Sequence, residues 1–366
     1  MKIAVDGYEL GREARGVGRV IDNILGPLFD LLPEDEFIIY TKENVGKYSR
    51  PRASERILPS PGGYLRWQNG PLRKALKETK PDVLMATNYT LPLFNPWDSI
   101  LFEYDLSVIS HPEWYSRRYA LPRRYLIKRS LKKAGLVITS SEFVKKEIQA
   151  FFELRPEKIK VIGFGVEDRF CRVSLEKIIA WKEKKGLAGK KIIGYLGSFF
   201  ERRHVPALVQ AVGLLRRELP ETRLYVVGKG FSGLRPGEMA GILNREWVKW
   251  EETLPEEELP VFYSGLDAFA CLSEYEGFGF PPLEALACGT PVVLMRGSSL
   301  EEVFGDVAVL VGSPDEREVM EALRSVLTEE RIRSQILSRF EERRDQFSWQ
   351  RASRVLAFLL GAGKSK

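Results

Sequence analysis

The sequence predicts an α/β protein with two domains in tandem, each built on a parallel β-sheet. Short apolar runs alternate with segments of helical period, an order typical of parallel sheets covered by helices on both faces. This alternation stops once, across the polar and charge-rich residues 167–190, and then restarts. The 366 residues are enough for two domains that each bury a core.

The first half of the chain carries one complete set of strands and helices. Residues 19–32 have helical periodicity after the first strand, and residues 142–154 form a second amphipathic helix. Strands are predicted at 2–7, 36–41, 81–88, 99–105, 135–141 and 158–166. We place the first domain at residues 1–168.

The second half repeats the pattern. A helix is predicted at 205–219, and a proline-led helix ends at Gly289. Strands are predicted at 191–198, 223–230, 248–252, 266–273, 290–295 and 307–312. We place the second domain at residues 169–345, and assign residues 346–366 to a separate C-terminal amphipathic helix with a short basic tail.

Composition indicates an ordinary globular protein. Hydrophobic residues make up 44% and charged residues 29%, and no apolar run reaches the roughly 20 residues of a membrane span. The start, MKIAVDGYELG, reads as a strand and turn, so we expect no signal peptide. Cys171, Cys271 and Cys288 have neither disulfide nor zinc spacing. We expect a cytoplasmic protein.

Residues 115–134 form a basic amphipathic segment without an acidic residue. Such a helix suits an anionic membrane surface or an anionic lipid-linked substrate, and the alternative is a solvated helix face. No nucleic-acid-binding motif accompanies it, so we expect no nucleic acid partner. Its basic residues are Arg117, Arg118, Arg123, Arg124, Lys128, Arg129, Lys132 and Lys133.

The most informative stretch is EYEGFGFPPLEALACGTPVV, residues 274–293, which runs from a strand through a glycine turn into a helix. Phosphate groups favour such a turn, since free N–H groups and the helix dipole point at them. Glu276 and Glu284 would repel phosphate, so they should accept hydrogen bonds from neutral hydroxyls instead. This pattern predicts a nucleotide-sugar site. The alternative is a helix-start acid and a solvated loop acid.

This stretch resembles the E-x7-E signature of the retaining GT-B glycosyltransferases, the family that includes sucrose synthase and many bacterial mannosyltransferases. Residues 248–279, 298–311 and 191–212 also resemble segments of that family, as do 135–148 and 15–25. The resemblance implies a GT-B fold, with two Rossmann-like domains facing across a cleft that closes on substrate. Residues 1–168 would be the acceptor-binding domain and residues 169–345 the nucleotide-sugar-binding domain. It also implies a C-terminal helix that crosses back to the first domain.

The resemblance implies roles for the residues of the second domain. Glu284 should bind the ribose hydroxyls and Glu276 a hydroxyl of the transferred sugar. Arg203 stands where the family usually has a phosphate-binding lysine, and Arg202 is a second candidate. Either could instead be a solvated loop residue. The remaining expected donor contacts are the backbone N–H groups of Gly277, Phe278 and Gly279, together with Ser198.

In the first domain, Gly16 and Gly18 lie in RGVGR, which resembles the flexible glycine loop near the diphosphate. Tyr104 stands where the family often has a histidine that contacts the donor sugar. This departure puts that contact in doubt. We expect His111 and His204 to be structural. The alternatives are that His204, in the basic loop, approaches a phosphate and that His111 lines the acceptor side.

A rival motif lies at 228–233, where GKGFSG follows a strand and Glu251 lies about 20 residues on, as in dinucleotide-binding folds. It would indicate a nicotinamide-dependent dehydrogenase. Pro236 is expected to interrupt the helix that this motif requires, and a dehydrogenase leaves the E-x7-E stretch unexplained. Two further alternatives are a sugar-nucleotide epimerase of the same fold and a scaffold that binds without turnover.

We therefore predict a retaining hexosyltransferase that uses a GDP- or UDP-linked sugar, with mannose as the first candidate. The acceptor is expected to be a hydroxyl of a glycan or lipid-linked glycan. No D-x-D arrangement occurs in the chain, so no metal cofactor is expected. Peripheral association with the inner face of the cell membrane is predicted through 115–134.

Overall fold

The computed structural model describes residues 1–11, 16–230 and 236–362, which form two compact units. Unit 1 comprises Met1–Gly165 and Phe347–Lys366, and unit 2 comprises Val166–Gln346. Each unit holds one β-sheet whose strands all pair in parallel. The chain leaves unit 1 once and returns to it for its last helix.

Unit 1 contains a seven-stranded sheet in the order β3-β2-β1-β4-β5-β6-β7. Its strands are β1 (Lys2–Asp6), β2 (Glu36–Thr41), β3 (Ala53–Ile57), β4 (Val83–Ala86), β5 (Asp98–Phe102), β6 (Leu136–Thr139) and β7 (Ile159–Val161). Its helices are α1 (Val17–Leu31), α2 (Tyr64–Trp67), α3 (Arg73–Thr79), α4 (Ser107–Ser110), α5 (Arg117–Lys133) and α6 (Glu142–Phe152), joined by the last helix of the chain, α15 (Trp349–Ala362).

Unit 2 contains a six-stranded sheet in the order β10-β9-β8-β11-β12-β13. Its strands are β8 (Lys191–Leu196), β9 (Thr222–Val227), β10 (Val248–Glu251), β11 (Ala268–Cys271), β12 (Val292–Met295) and β13 (Val309–Val311). Its helices are α7 (Leu175–Lys184), α8 (Val205–Leu215), α9 (Pro236–Leu243), α10 (Leu259–Gly265), α11 (Phe280–Ala287), α12 (Ser299–Phe304), α13 (Glu316–Thr328) and α14 (Glu330–Arg343).

The central strands are apolar along almost their whole length because helices cover both faces of each sheet. Ile3, Ala4 and Val5 of β1 are fully buried, and so are Ile192 and Ile193 of β8. In both sheets the strand order reverses direction at the centre, between β1 and β4 in unit 1 and between β8 and β11 in unit 2. Ligands of open α/β sheets bind beyond the carboxyl ends of strands at such switch points.

The C-terminal helix α15 completes unit 1 by packing on α1. Ser353 is buried and its hydroxyl donates to the backbone oxygen of Ile24 over 3.0 Å. Where the chain leaves and re-enters unit 1, backbones touch: a Cβ added at Gly165 would lie 2.3 Å from the backbone nitrogen of Trp349. Among the described helices, none is long and apolar enough to cross a membrane.

Candidate functional site

In unit 2 the loops that follow β8 and β11 leave the sheet side by side at the switch point. The β8 loop contains a 3-10 turn, Glu201–Arg203, and the β11 loop carries Glu274 and Glu276. The two loops are bonded directly, because the backbone N–H of Glu274 donates to the backbone oxygen of Arg202 over 2.9 Å. Two segments that the sequence analysis singled out separately therefore form one site.

An ion pair between Arg203 and Glu276 lies at the centre of this site. The Nη2 of Arg203 is 2.9 Å from the Oε1 of Glu276, and each side chain is only 20% exposed. Burial lowers the pKa of Arg203, but the carboxylate of Glu276 acting together with Tyr195 and Cys271 raises it by more, so the pKa lies above its ordinary value. The alternative in which Arg203 is a solvated loop residue is wrong.

Arg202 has different surroundings from its neighbour. Its side chain is 8% exposed, and the centre of its guanidinium lies 4.6 Å from the ring centroid of Phe200. The solvated-loop alternative is therefore also wrong for Arg202. A guanidinium stacked on a ring in the protein interior contributes a nearby positive charge and packing.

The glycine turn between the two loop acids and α11 is fixed by packing. Gly279 has φ 106°, and a Cβ there would lie 2.6 Å from the Cδ2 of Leu300. Phe278 is buried, with its ring centroid 6.3 Å from that of Phe304. The hydroxyl of Ser299 donates to the backbone oxygen of Glu276 over 2.5 Å. Because the Phe278 side chain is internal, only the turn's backbone is suited to contact a ligand.

Glu284 lies one turn inside α11 and is 3% exposed. Its Oε2 accepts a hydrogen bond from the hydroxyl of Tyr263 over 2.7 Å, and Tyr263 is itself fully buried. Glu284 is therefore a buried carboxylate with a hydrogen-bond partner. Nothing in the sequence singled out Tyr263, because a tyrosine in a short apolar helix reads as ordinary core.

Two further groups beside Arg203 were not predicted. The hydroxyl of Tyr195 donates over 2.9 Å to the backbone oxygen of Ser198, whose oxygen also lies 3.5 Å from the Nη1 of Arg203. Cys271 ends β11, and burial together with the nearby charge of Glu276 raises the pKa of its thiol to about 12. The thiol therefore stays protonated at neutral pH and adds no charge to the site.

His204 follows directly and has a structural partner. Its Nε2 lies 2.5 Å from the Oε1 of Glu274, which is a third contact between the β8 loop and the β11 loop. Its φ of 48° is a left-handed value that turns the chain into α8. These contacts agree with the structural role expected for this histidine.

The predicted residues of unit 1 lie in two places. Gly16, with φ 53°, is exposed before α1 and Gly18 is buried in its first turn, whereas Arg15 of the same motif lies outside the described residues. Tyr104 follows β5 and is 8% exposed, with its ring centroid 5.6 Å from that of Tyr89. Within the described part of the chain, its hydroxyl has no hydrogen-bond partner.

Family models match nearly the whole chain. The model described as "Glycosyl transferases group 1" matches residues 177–344, almost all of unit 2. The model described as "Glycosyltransferase Family 4" matches residues 31–170, most of unit 1. Unit 2 matches the group 1 glycosyltransferases and unit 1 matches a second glycosyltransferase family, so the chain is a glycosyltransferase.

Relatives of this glycosyltransferase include two proteins from Escherichia coli. The O-antigen chain mannosyltransferase B is 28% identical over 281 residues, which cover 75% of this chain and 73% of that protein. The serotype-specific mannosyltransferase WbdA is 23% identical over 388 residues. That match covers 95% of this chain and 46% of WbdA, so the chain spans about half the length of this relative.

Solved structures confirm the GT-B fold of the glycosyltransferase. Sucrose-phosphate synthase from Thermosynechococcus elongatus has a TM-score of 0.79 at 18% identity, covering 100% of this chain and 99% of that one. Anabaena HepE in complex with UDP and glucose has a TM-score of 0.74 at 17% identity, covering 99% and 100%. These structures confirm the predicted GT-B fold, and the family models confirm the predicted glycosyltransferase class.

The dinucleotide-like motif of the glycosyltransferase has a structural explanation. A Cβ at Gly228 would lie 1.9 Å from the backbone oxygen of Gly197, so this glycine allows the β8 and β9 loops to meet. Residues 231–233 lie outside the described residues. The Oε1 of Glu251 accepts from Lys185 over 2.9 Å and from the hydroxyl of Tyr225 over 2.5 Å.

The expectation that Pro236 interrupts the helix of this motif is wrong. Pro236 does not interrupt a helix; it begins α9, a first-turn position where the missing N–H costs nothing. The family match, rather than the proline, rules out the dehydrogenase.

In the described ranges of the glycosyltransferase, no group of three or more His, Cys, Asp or Glu side chains is arranged to hold a metal ion. The cation observed next to Glu276 is the guanidinium of Arg203.

Proposed function

We propose that this glycosyltransferase moves a hexose, with mannose as the first candidate, from a nucleotide-diphosphate sugar to a hydroxyl of a glycan or lipid-linked glycan. The observation that carries this is the Arg203–Glu276 pair beside the rigid glycine turn of α11. The names of the two Escherichia coli mannosyltransferases support mannose. The UDP and glucose bound to HepE support a nucleotide-sugar donor.

In this proposal Arg203 and Glu276 bind different parts of the donor. Arg203 binds the diphosphate, because a guanidinium donates two parallel hydrogen bonds to phosphate oxygens. The backbone N–H groups of Gly277–Gly279, at the start of α11, face the negative charge of the same diphosphate. Glu276 accepts from a hydroxyl of the sugar, and its bond to Arg203 sets the direction in which its oxygens point. Arg202 adds positive potential from inside the loop.

The proposed reaction retains anomeric configuration. The bond between the anomeric carbon and the diphosphate oxygen breaks, and the leaving diphosphate takes the electron pair. The acceptor oxygen forms its bond on the same face of the sugar, and the acceptor proton passes to the departing phosphate oxygen. Arg203 and the N–H groups of the turn stabilise the charge that develops on the diphosphate, which is the main contribution asked of the protein.

Glu284 is proposed to bind the ribose hydroxyls of the donor. Its hydrogen bond from Tyr263 fixes one carboxylate oxygen, which pre-organises the group. Four further donor contacts remain predictions, those of Ser198, Gly16, Gly18 and Tyr104. A cytoplasmic location of the protein also remains a prediction.

Two variants test the assignment of the donor site. Arg203→Ala should lower kcat by about 10² to 10³-fold, the usual cost of one lost charge-stabilising donor. Glu284→Gln should weaken donor binding by about tenfold or more, through loss of a charged acceptor. Release of nucleoside diphosphate from GDP-mannose and from UDP-sugars gives the rate, and calorimetry gives the affinity.

The matched control is Arg324→Ala, which removes an exposed pair with Glu218 in the same unit. It should leave both quantities unchanged, because surface ion pairs contribute little. Wild-type values in both site variants would show that the site is wrongly assigned. A donor sugar that changes identity without any acceptor would point to an epimerase.

We also propose that α5 contacts an anionic membrane surface. Leu121 and Tyr125 lie one turn apart and are 62% and 66% exposed, which is unusual for side chains of their size. Exposed basic residues surround them, including Arg118 and Lys128. Arg129 instead serves the fold, since its Nη1 donates to the backbone oxygen of Pro92 over 3.3 Å.

Flotation with vesicles that contain anionic lipid tests this contact. Replacing Leu121 and Tyr125 together by serine should abolish salt-sensitive flotation, because the apolar anchor is lost. The control replaces Leu175 and Ile179 of α7 by serine, a pair with the same spacing that is 65% and 48% exposed. An equal loss of flotation in both variants would contradict the proposal, and so would wild-type protein that does not float with these vesicles.

A further inference from the structure

Unit 1 has a cavity of about 340 Å³. It lies at the switch point of the first sheet, where Asn88–Thr90 follow β4 and α5 forms the opposite wall. The side chains that matter for its chemistry are Tyr64, Leu65, Arg66, Tyr89, Arg123 and Leu126. No predicted donor residue lines it.

The aromatic wall of the cavity is rigid. The hydroxyl of Tyr64 donates to the Oδ2 of the buried Asp6 over 2.7 Å and accepts from the Nε2 of Gln68 over 2.6 Å. The Tyr64 ring packs with its centroid 5.1 Å from that of Tyr8. A ring held in this way offers a flat binding surface without a loss of side-chain entropy on binding.

The backbone of Tyr89, another residue that lines the cavity, is strained. Tyr89 has φ 61°, a left-handed value that a bulky side chain rarely adopts. Its ring is held edge-on to that of Tyr104. Strained residues of this kind cluster at ligand sites, where surrounding structure holds a side chain in one position.

Two arginines give the cavity its charge. Arg66 and Arg123 both line it and both are exposed, and no aspartate or glutamate lines it with them. Within residues 1–11, 16–230 and 236–362, neither arginine forms an ion pair with a carboxylate. The guanidinium of Arg123 lies 4.5 Å from the ring centroid of Tyr119, which orients it. Guanidinium groups without a carboxylate partner favour a phosphate.

We infer that this cavity binds a phosphate-linked monosaccharide, with the sugar against Tyr64 and the phosphate between Arg66 and Arg123. The volume is near the lower end of small-molecule sites, which suits one sugar ring rather than a nucleotide-sugar. Leu65 and Leu126 leave an apolar edge for whatever the phosphate carries. The identification of this ligand as the acceptor rests on the proposed function. Its binding to the cavity does not depend on that function.

Calorimetry of the full-length protein with mannose 1-phosphate and glucose 1-phosphate tests the site without donor or turnover. At least one should bind, whereas methyl mannoside and inorganic phosphate should bind at least about tenfold more weakly. Arg66→Gln and Arg123→Gln should each weaken binding about tenfold. Arg118→Gln is the control, an exposed arginine of α5 outside the cavity.

Several results would overturn the inference. They are no binding of either sugar phosphate, equal affinity for methyl mannoside, or equal weakening by Arg118→Gln. If Arg66→Gln and Arg123→Gln reduce flotation with phosphatidic acid vesicles but not sugar phosphate affinity, the site binds a lipid headgroup instead. If the site binds but no donor is hydrolysed or transferred, the proposed function fails and this site stands.

Discussion

At the residue scale, tyrosine hydroxyls hold three carboxylates in place. Tyr64 donates to Asp6, Tyr263 to Glu284 and Tyr225 to Glu251, over 2.7, 2.7 and 2.5 Å. A phenol satisfies one acceptor of a carboxylate without adding positive charge. The carboxylate is thereby oriented while its negative charge is kept, which matters where it must accept from a ligand.

Tyr263→Phe tests this role in the donor site. The ring is kept and one hydrogen bond is lost, so stability should fall by about 1–2 kcal/mol and donor affinity should fall with it. Tyr225→Phe is the matched control, because it removes the same kind of bond from Glu251 in the same unit. It should cost similar stability and leave donor affinity unchanged. Unaltered affinity in Tyr263→Phe would show that Glu284 needs no orientation.

Asp6 gives a pH-dependent signature. Burial raises its pKa from 3.8 to about 6, although the bond from Tyr64 opposes this. Between these values the folded state binds more protons than the unfolded state, so stability falls as pH rises. Relative to Asp6→Asn, the wild type should lose about 2.5 kcal/mol of unfolding free energy from about pH 4 to about pH 7. Urea unfolding measures this difference, and a difference that stays constant with pH would contradict it.

At the element scale, α15 is held by a narrow apolar seam. Leu356 is fully buried, and the adjacent Val355 is 37% exposed. Leu356→Ala should cost about 2–5 kcal/mol, as for other large-to-small changes in a core. Val355→Ala should change stability by less than about 0.5 kcal/mol. Hydrogen exchange read by mass spectrometry should show lost protection in α1 for the first variant alone, with unit 2 as an internal reference.

The strands show what sequence patterns can and cannot predict. Every predicted strand overlaps an observed one, because central parallel strands are continuous apolar runs. β3, of sequence ASERI, was not predicted. It pairs only with β2 at the edge of the sheet, and its polar side chains carry no strand pattern. Edge strands are specified by the neighbouring strand more than by their own composition.

The site could be predicted only in part for a similar reason. Glu276, Glu284 and Arg203 lie in motifs of recognisable spacing. Tyr263 supports that site from α10, and no local pattern connects it with Glu284. The cavity of unit 1 is assembled from α2, the β4 loop and α5, which are far apart in sequence. Only the fold brings Arg66 and Arg123 to one opening.

At the scale of the whole molecule, the chain's exit from unit 1 and its return depend on Gly165. A Cβ there would lie 2.3 Å from the nitrogen of Trp349 and 2.8 Å from the carbonyl carbon of Ser348. Gly165→Ala should therefore destabilise unit 1 by about 1–3 kcal/mol, since backbone must move.

Gly163→Ala is the control, because a Cβ there would meet nothing within 4 Å. It should be neutral or slightly stabilising. Limited proteolysis with mass spectrometry separates the two units in this experiment. Fragments from unit 1 should appear earlier for Gly165→Ala than for Gly163→Ala. Equal cleavage in both variants would show that the backbone around Gly165 adjusts to the added Cβ without loss of stability.

The position of α15 also bears on how the protein is made. Unit 2 is one uninterrupted stretch of chain, so it can finish folding as soon as it has left the ribosome. Unit 1 begins first but lacks α15 until the whole of unit 2 has been synthesised, a delay of roughly 10 to 40 seconds at ordinary rates. Throughout that time α1 has no partner from α15. Although unit 1 is begun before unit 2, it can complete its own packing only after unit 2 has been made.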